Sequence, residues 1–166
     1  MWEKINKQSK ILLHNCLEKK LTITSAESCT GGMIASSIVS ISGSSAIFKA
    51  SVVTYSNDMK SEILNIPLKL IIENGAVSNI IAYNMASNIL KVMNADVSIA
   101  VTGIAGPSGG NVDKPVGLVY IGIGTKTNII TKKYLFKGNR LKIRQQTTLE
   151  ALKLTNEIIE SFKKVN

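Results

Sequence analysis

The chain has 166 residues, 45% of them hydrophobic, which is enough to bury the core of one domain without disulfides or metals. No apolar run approaches the roughly 20 residues of a membrane-spanning helix, and charges occur throughout the first 20 residues, so we expect a cytoplasmic protein with no membrane partner. The formal net charge is +9, but the lysines are scattered and aromatic residues make up only 5%, which argues against a nucleic-acid partner.

The two cysteines, Cys16 and Cys29, lie in different predicted elements, and neither belongs to a CxxC pair. We therefore expect two free thiols, with no disulfide and no structural zinc. No cluster of His, Cys, Asp or Glu has the spacing of metal ligands, so we predict neither a catalytic metal nor another cofactor.

The first part of the chain predicts a helix followed by a strand, a tight turn and a second helix. Apolar residues recur at helical spacing over residues 4–20, with lysines on the opposite face. Residues 21–25 alternate as a strand does, and residues 27–32 break this pattern. Residues 33–41 then resume as a short helix of small and apolar side chains.

A second strand and helix follow. Residues 42–45 predict a loop, and residues 50–55 are rich in β-branched side chains, as a strand is. Asn57 is the predicted N-cap of a helix that runs through Lys60 to Asn65.

The middle of the chain is mainly helical and ends in a buried strand. Pro67 can open a helix that stops at residues 74–75, and residues 79–94 repeat apolar side chains at helical spacing. Residues 96–101 are typical of a buried strand, and residues 102–110 are too rich in glycine for regular structure.

Two strands and a long helix complete the chain. Residues 116–124 and 129–136 are joined by a short polar turn, which predicts an antiparallel hairpin, and one face of the closing helix over residues 139–166 is apolar. Five strands interleaved with helices predict an α/β protein. We expect a three-layer α/β/α sandwich with one mixed sheet of about five strands, formed by a single domain over residues 1–166.

The turn over residues 27–32 is the first candidate for chemistry. Ser28 lies there beside backbone N–H groups and the positive end of a helix dipole, where an oxyanion can be stabilised. The alternative is that Ser28 or Thr30 only caps the helix, while Gly31 and Gly32 allow the tight turn.

A serine nucleophile needs a base. The single histidine, His14, lies in the opening helix, which leaves a Ser–Lys pairing as the remaining option. Lys60 fits best because the dipole of its predicted helix disfavours the ammonium form, and Tyr55 precedes it in the same turn. The alternative is one ordinary solvated lysine among 18. Cys29 competes with Ser28 as the nucleophile, and the residues alone do not separate the two.

The two arginines of the chain form a second candidate feature. Arg140 and Arg144 lie four residues apart in the first turns of the closing helix, where cations oppose the dipole and each other. They predict an anionic partner, either a carboxylate of the protein or a bound phosphate. The loop over residues 103–110 could cradle a phosphate or a sugar, although it has neither the P-loop nor the Rossmann pattern.

Five short blocks of the sequence recur together, in the same order, in a known family. They are AESCTGG at residues 26–32, VTYSN at 53–57 followed by Lys60, GAVS at 75–78, GIAGP at 103–107 with Gly109 and Gly110, and KPVG at 114–117. With these blocks the chain resembles the C-terminal domain family of the competence/damage-inducible protein CinA, over nearly its full length. Lys49, Asp58 and Met59 depart from the family pattern beside the matched blocks.

The stand-alone members of this family are nicotinamide-nucleotide amidases. The resemblance implies that nicotinamide mononucleotide is hydrolysed to nicotinic acid mononucleotide and ammonia, a reaction of pyridine-nucleotide salvage. It also implies that Ser28 is the nucleophile, Lys60 the base and Tyr55 an assisting hydroxyl.

We expect the small-molecule mononucleotide to be bound by residues of the first turn, the glycine-rich loop and the closing helix. These are Thr30, Gly31, Gly32, Thr102, Gly103, Gly106, Arg140 and Arg144. Backbone N–H groups near Gly31 would hold the oxyanion, and the arginines and the loop would orient the ribose phosphate. The role of the arginines rests on the helix argument above rather than on the family.

Two other functional classes remain open from the sequence. One is a non-catalytic nucleotide-binding or regulatory module linked to competence or DNA damage, and the other is nucleic-acid binding through the net charge. A homo-oligomer is the expected assembly for so small a metabolic enzyme.

Overall fold

The computed structural model describes residues 1–162, which contain six α-helices and five β-strands. In chain order these are α1 (Trp2–Lys19), β1 (Ile23–Glu27), α2 (Met33–Val39), β2 (Phe48–Val53), α3 (Asn57–Leu64), α4 (Leu68–Asn74), α5 (Asn79–Val92), β3 (Val97–Gly103), β4 (Leu118–Thr125), β5 (Ile129–Leu135) and α6 (Arg140–Glu160). The last four residues of the predicted closing helix lie outside the described residues. Within residues 1–162, no helix is both long enough and apolar enough to cross a membrane.

The five strands form one mixed sheet in the order β2-β1-β3-β4-β5. β1 pairs in parallel with both β2 and β3. β4 is antiparallel to β3 and to β5. The predicted α/β class, the mixed sheet of about five strands and the final antiparallel hairpin are therefore confirmed.

Helices cover both faces of this sheet. α1, α2 and α6 pack on one face, over a core that includes Ile99 and Ile121. α3, α4 and α5 pack on the other face, over a core that includes Ala26 and Ala100. Ile99 and Ala100 are neighbours on β3 but fall in different layers, because successive side chains of a strand point to opposite faces. The three-layer sandwich is confirmed by this arrangement.

The face of the sheet under α5 is built from small residues. A Cβ atom on Gly122 of β4 would lie 2.6 Å from the backbone oxygen of Ala82 on α5. Ser98 of β3 donates a hydrogen bond from its Oγ to the backbone oxygen of Ala86 at 2.7 Å. These contacts hold α5 directly against the strands, at a distance that larger side chains on the sheet would not permit.

The parallel strands determine where the candidate site lies. β1, β2 and β3 run in the same direction, so their carboxyl ends meet at one edge of the sheet. The chain leaves this edge through the β1–α2 corner (residues 28–32), the β2–α3 corner (54–56) and the loop after β3 (104–117). The fold therefore brings three of the sequence blocks to the same place.

Two local assignments from the sequence are wrong. Glu27 is the last residue of β1 rather than the first residue of the turn, and it is fully buried. The N-cap of α3 is Ser56 rather than Asn57, since the Ser56 Oγ accepts a hydrogen bond from the N–H of Met59 at 3.2 Å. Serine and asparagine cap helices about equally well, so their preferences did not distinguish these adjacent positions.

Candidate active site

Ser28 lies in a tight turn that is fixed to the sheet. Its backbone N–H donates to the oxygen of Val101 on β3 at 3.0 Å, and its backbone oxygen accepts from the N–H of Gly31 at 3.1 Å. Gly31 and Gly32 have φ angles of 58° and 90°, in the left-handed region that favours glycine. The two glycines thus allow the chain to turn sharply from β1 into α2 with Ser28 at the corner.

Lys60 is the partner of Ser28. The Lys60 Nζ lies 3.2 Å from the Ser28 Oγ, and it also donates to the backbone oxygens of Thr54 at 2.8 Å and Tyr55 at 3.4 Å. The Lys60 side chain is only 1% exposed, although a lysine is almost never fully buried unless it is paired. The structure therefore joins the two corners through one buried hydrogen bond between a hydroxyl and an amine.

Burial changes the protonation of this amine. Removal from water disfavours the ammonium form and lowers the pKa of Lys60 from 10.5 to about 8. No carboxylate within residues 1–162 forms an ion pair with Lys60 that would oppose this effect. A substantial fraction of the amine is thus neutral in mildly alkaline solution and able to accept the Ser28 proton.

Cys29 faces the same cavity, but its surroundings do not activate it. The side chain is 5% exposed, and burial raises the pKa of its thiol from 9.0 to about 12. The residue's own backbone N–H lowers this pKa, and the Glu27 carboxylate raises it, with smaller lowering effects of Lys60 and Arg144. Since the thiolate is the reactive form, these surroundings favour Ser28 over Cys29 as the nucleophile.

The N-terminus of α2 is occupied by a side chain of the protein. The fully buried carboxylate of Glu27 accepts hydrogen bonds from the N–H groups of Gly32 at 3.0 Å, Ile34 at 3.1 Å and Ala35 at 2.8 Å. A fourth bond comes from the Thr30 hydroxyl at 2.7 Å. The carboxylate therefore satisfies donors that a helix normally leaves free, and its charge complements the dipole.

This cap alters the expected oxyanion site. We expected N–H groups near Gly31 to hold the oxyanion, but the Gly31 N–H donates to Ser28 and the Gly32 N–H donates to Glu27. Thr30 is fully buried, and its hydroxyl is also bound to Glu27. None of these three donors is free to contact a ligand in this structure, so the oxyanion donors must be sought elsewhere.

A cavity of about 220 Å³ opens beside Ser28 and Lys60. Of the other residues predicted for the site, it is lined by Tyr55, Thr102, Gly103 and Arg140. Thr102 is buried and donates from its hydroxyl to the backbone oxygen of Ala76 at 2.8 Å. Gly103 is confined by β4, because a Cβ atom there would lie 2.6 Å from a methyl group of Val119.

Arg140 forms part of the rim of this cavity. Its guanidinium donates to the backbone oxygen of Gly106 at 2.9 Å and to the hydroxyl of Tyr55 at 2.8 Å. The Tyr55 hydroxyl was expected to assist the reaction, but the structure places it in this bond with Arg140. Tyr55 contacts Lys60 through its backbone oxygen, which accepts a hydrogen bond from the Lys60 Nζ.

Arg144 does not line the cavity. Its Nε and Nη2 both donate to the backbone oxygen of Thr30, at 3.2 and 2.6 Å, so it holds the β1–α2 turn from outside. No carboxylate in the described part of the chain forms an ion pair with Arg140 or Arg144. The carboxylate partner considered from the sequence is therefore absent from residues 1–162, and both arginines bind neutral oxygens.

Four lining residues were not among the predicted site residues: Asn57, Ala76, Val77 and Ala105, the last of which lies in the predicted glycine-rich loop. Ala76 and Val77 belong to the GAVS block at residues 75–78, and the recurrence of that block was the sequence signal for them. Asn57 was assigned to the cap of α3, but its exposed side chain lines the cavity instead. A serine immediately before it was the signal for the alternative cap.

A larger cavity, of about 410 Å³, lies at the opposite edge of the sheet, between α5 and the β4–β5 turn. Its lysine side chains, Lys91 and Lys126, are exposed, and Lys126 is paired with Asp96 at 2.5 Å. Neither lysine is buried beside a hydroxyl, as Lys60 is beside Ser28. The smaller cavity, beside Ser28 and Lys60, is therefore the better candidate for the active site. No group of three His, Cys, Asp or Glu residues within residues 1–162 is placed to hold a metal ion.

Comparisons with known proteins match the chain over almost its full length. A family model described as the CinA C-terminal domain matches residues 5–159. A CinA-like protein of Dictyoglomus turgidum is 44% identical over 144 residues, which are 87% of this chain and 35% of that protein. A CinA-like protein of Prochlorococcus marinus is 49% identical over 138 residues, 82% of this chain and 32% of that protein. The chain thus spans about a third of the length of these curated relatives.

Solved structures of similar length have the same fold. A competence/damage inducible protein from Agrobacterium tumefaciens is 34% identical, with a TM-score of 0.92 over 95% of this chain and 96% of that one. A competence damage-inducible protein A from Klebsiella pneumoniae is 28% identical, with a TM-score of 0.92 over 96% of this chain and 99% of that one.

Proposed function

Because the chain belongs to the CinA C-terminal domain family, we propose that it is an amidohydrolase that converts nicotinamide mononucleotide to nicotinic acid mononucleotide and ammonia. The observation that carries this proposal is the buried Lys60 amine, 3.2 Å from the Ser28 hydroxyl, beside a cavity open to a ligand. A buried lysine without a carboxylate costs free energy, and a role as a base gives a reason to retain it.

The first half of the proposed reaction forms an ester on Ser28. The neutral Lys60 amine takes the proton of the Ser28 hydroxyl, and the Ser28 Oγ attacks the carboxamide carbon of the substrate. The carbonyl oxygen becomes an oxyanion. When this intermediate collapses, the C–N bond breaks, the Lys60 ammonium returns its proton to the departing nitrogen, and ammonia leaves.

The second half releases the acid. A water molecule attacks the ester carbon while Lys60 accepts one of its protons. Collapse of the second intermediate breaks the bond to the Ser28 Oγ, which takes the proton back from Lys60. The product leaves as the carboxylic acid and ionises in solution, so one water is consumed for each amide hydrolysed.

Oxyanion stabilisation and phosphate binding complete the proposal. Cys29, the residue after the nucleophile, lines the cavity, and its backbone N–H forms no hydrogen bond within 1–162 beyond the contact with its own thiol, so we assign it as one oxyanion donor. Arg140 would bind the phosphate, because its guanidinium is now held only by neutral oxygens that a doubly charged group can displace.

Ammonia release from nicotinamide mononucleotide tests the proposal. We expect activity in the unchanged chain, and a loss of kcat of at least about 10³-fold in Ser28→Ala and in Lys60→Met. Cys29→Ala, as the matched control for the neighbouring nucleophile, should stay within about tenfold of the unchanged chain.

Two results of this assay would contradict the proposal. Tight binding of the nucleotide without ammonia release would favour the non-catalytic, regulatory module. Loss of activity in Cys29→Ala with retention in Ser28→Ala would move the nucleophile to the thiol.

A further inference from the structure

Asn57 has a side chain that the fold does not use. It is the first residue of α3, and the neighbouring Ser56 already supplies the cap through its bond from the N–H of Met59. Asn57 is exposed, and it is one of the residues that line the same cavity as Ser28 and Lys60. Its amide forms no hydrogen bond to another residue in the described part of the chain. One carboxamide, with two donor hydrogens and an acceptor oxygen, is therefore available at the cavity.

Three of the other polar side chains around this cavity, those of Lys60, Thr102 and Arg140, already donate hydrogen bonds within the protein. Lys60 donates to Ser28 and to two backbone oxygens, and the Thr102 hydroxyl donates to Ala76. Arg140 donates to the backbone oxygen of Gly106 and to the hydroxyl of Tyr55. The oxyanion of an amide hydrolysis needs preorganised donors, and Glu27 already takes the N–H groups of Gly32, Ile34 and Ala35 at the N-terminus of α2.

The position of Asn57 on α3 places it near the reacting pair. It precedes Lys60 by three residues, and side chains at this spacing lie on the same side of a helix with Cβ atoms about 5–6 Å apart. The amine of Lys60 reaches Ser28 from that helix. Because Asn57, Lys60 and Ser28 line one cavity, a carboxamide that enters it for attack by Ser28 would share that cavity with Asn57.

We propose that Asn57 is a catalytic residue of the same reaction, and that its Nδ2 amide is the second oxyanion donor, opposite the backbone N–H of Cys29. This inference rests on the proposed function. An amide donor suits the task because it carries no charge of its own and bonds more strongly as negative charge develops on the substrate oxygen.

The test separates kcat from ground-state binding. In Asn57→Leu we expect kcat for ammonia release to fall by about 10²–10³-fold. The Kd for nicotinamide mononucleotide, measured in the Ser28→Ala background, should change by less than about threefold, since the bond strengthens only in the transition state. Asn57→Asp should lose at least as much kcat, because a carboxylate has no donor and repels the oxyanion.

Controls exclude an indirect effect of folding. A carboxylate in the first turn of a helix is stabilising, so Asn57→Asp should unfold at the same or a higher temperature than the unchanged chain. Asn6→Leu, an exposed asparagine of α1, is the matched control and should keep full activity.

Three results would overturn the inference. The first is a kcat within about threefold of the unchanged chain in Asn57→Leu. The second is a weakened Kd with kcat retained, which would make Asn57 a ground-state contact. The third is no ammonia release by the unchanged chain, which removes the proposed function as well. The first two leave the proposed function standing, so the failures are distinguishable.

Discussion

Lys60 is the residue on which the proposed reaction depends most. Its chemistry follows from burial rather than from residue type. Seventeen other lysines have the same side chain, and the amine of Lys60 differs in being enclosed beside Ser28 and two backbone oxygens. The same burial that makes Lys60 a base also penalises the ammonium form in the folded state. Activity and stability should therefore depend on pH through this one group.

The first prediction concerns the rate. Because the reaction needs the neutral amine and the pKa of Lys60 is lowered to about 8, kcat/KM for ammonia release should rise with pH and level off above about pH 8–9. The measurement is a pH profile of the unchanged chain between pH 6 and 10. An ordinary lysine would give a rise centred near pH 10.5, and such a profile would exclude Lys60 as the base in its buried form.

The second prediction concerns stability. The unfolded chain holds the Lys60 proton up to about pH 10.5 and the folded chain only to about pH 8, so between these values the unfolded state binds more protons. Relative to Lys60→Met, the free energy of unfolding should rise with pH in this window, by at most about 1.4 kcal/mol per pH unit. Below pH 8 the difference between the two proteins should be constant.

Denaturant unfolding at several pH values between 7 and 10 checks this. The comparison with Lys60→Met is needed because burial raises the pKa of both cysteines to about 12, which lowers stability in the same range in both proteins. A difference that stays flat from pH 7 to 10 would contradict the depressed pKa.

The sequence predicted the residue types of the site better than their orientation. Ser28 and Lys60 belong to short blocks that the resemblance placed in one site, and they lie within hydrogen-bonding distance. Tyr55 belongs to the same blocks, yet its hydroxyl turns to Arg140. A side-chain direction depends on which acceptor the folded chain brings near, and this information is not local.

Among the helices and strands, the cap of α2 could not be predicted from the helix-capping preferences of the residues in the turn. One of the two interpretations of the turn was that Ser28 or Thr30 only caps α2, whereas the carboxylate of Glu27 reaches the helix from the end of β1. Hydrophobic periodicity found the strands and helices because burial on one face repeats along an element. It carries no signal for a polar side chain that crosses from one element to the next.

The third prediction tests this cap. Glu27→Gln replaces one carboxylate oxygen by an amide donor that faces the N–H groups of α2, and it removes the charge that complements the helix dipole. We expect the free energy of unfolding to fall by about 3 kcal/mol in denaturant titrations, together with a loss of activity as the Ser28 turn loosens.

Ser56→Ala serves as the comparison, since it removes an exposed cap of α3 with one hydrogen bond. Its cost should be about 1 kcal/mol. Equal effects of the two substitutions would argue that the buried carboxylate contributes no more than an ordinary cap.

For the whole molecule, the stacking of the layers decides where the corners meet. The mixed sheet follows from the interleaved strands and helices and from the closing hairpin, so its class could be predicted. The strand order and the contact between α5 and the small residues of the sheet could not, because they depend on distant parts of the chain packing together. The position of Asn57 in the cavity was missed for the same reason.

The fourth prediction tests the close contact between α5 and the sheet. Gly122→Ala would place a methyl group 2.6 Å from the Ala82 backbone oxygen, so the helix or the strand must shift. We expect a loss of about 2 kcal/mol in the free energy of unfolding. The exposed Ser45→Ala should change it by less than about 0.5 kcal/mol, and equal effects of the two would contradict this packing.

The most direct test of the central claim is to identify the atom that carries the acyl group. The reaction with nicotinamide mononucleotide would be quenched in acid within its first turnover, and the peptide that contains Ser28 and Cys29 sequenced by mass spectrometry. We expect an acid-stable ester on Ser28, absent from Ser28→Ala and from Lys60→Met. A thioester on Cys29, or ammonia release with no adduct on either residue at any time of quenching, would contradict it.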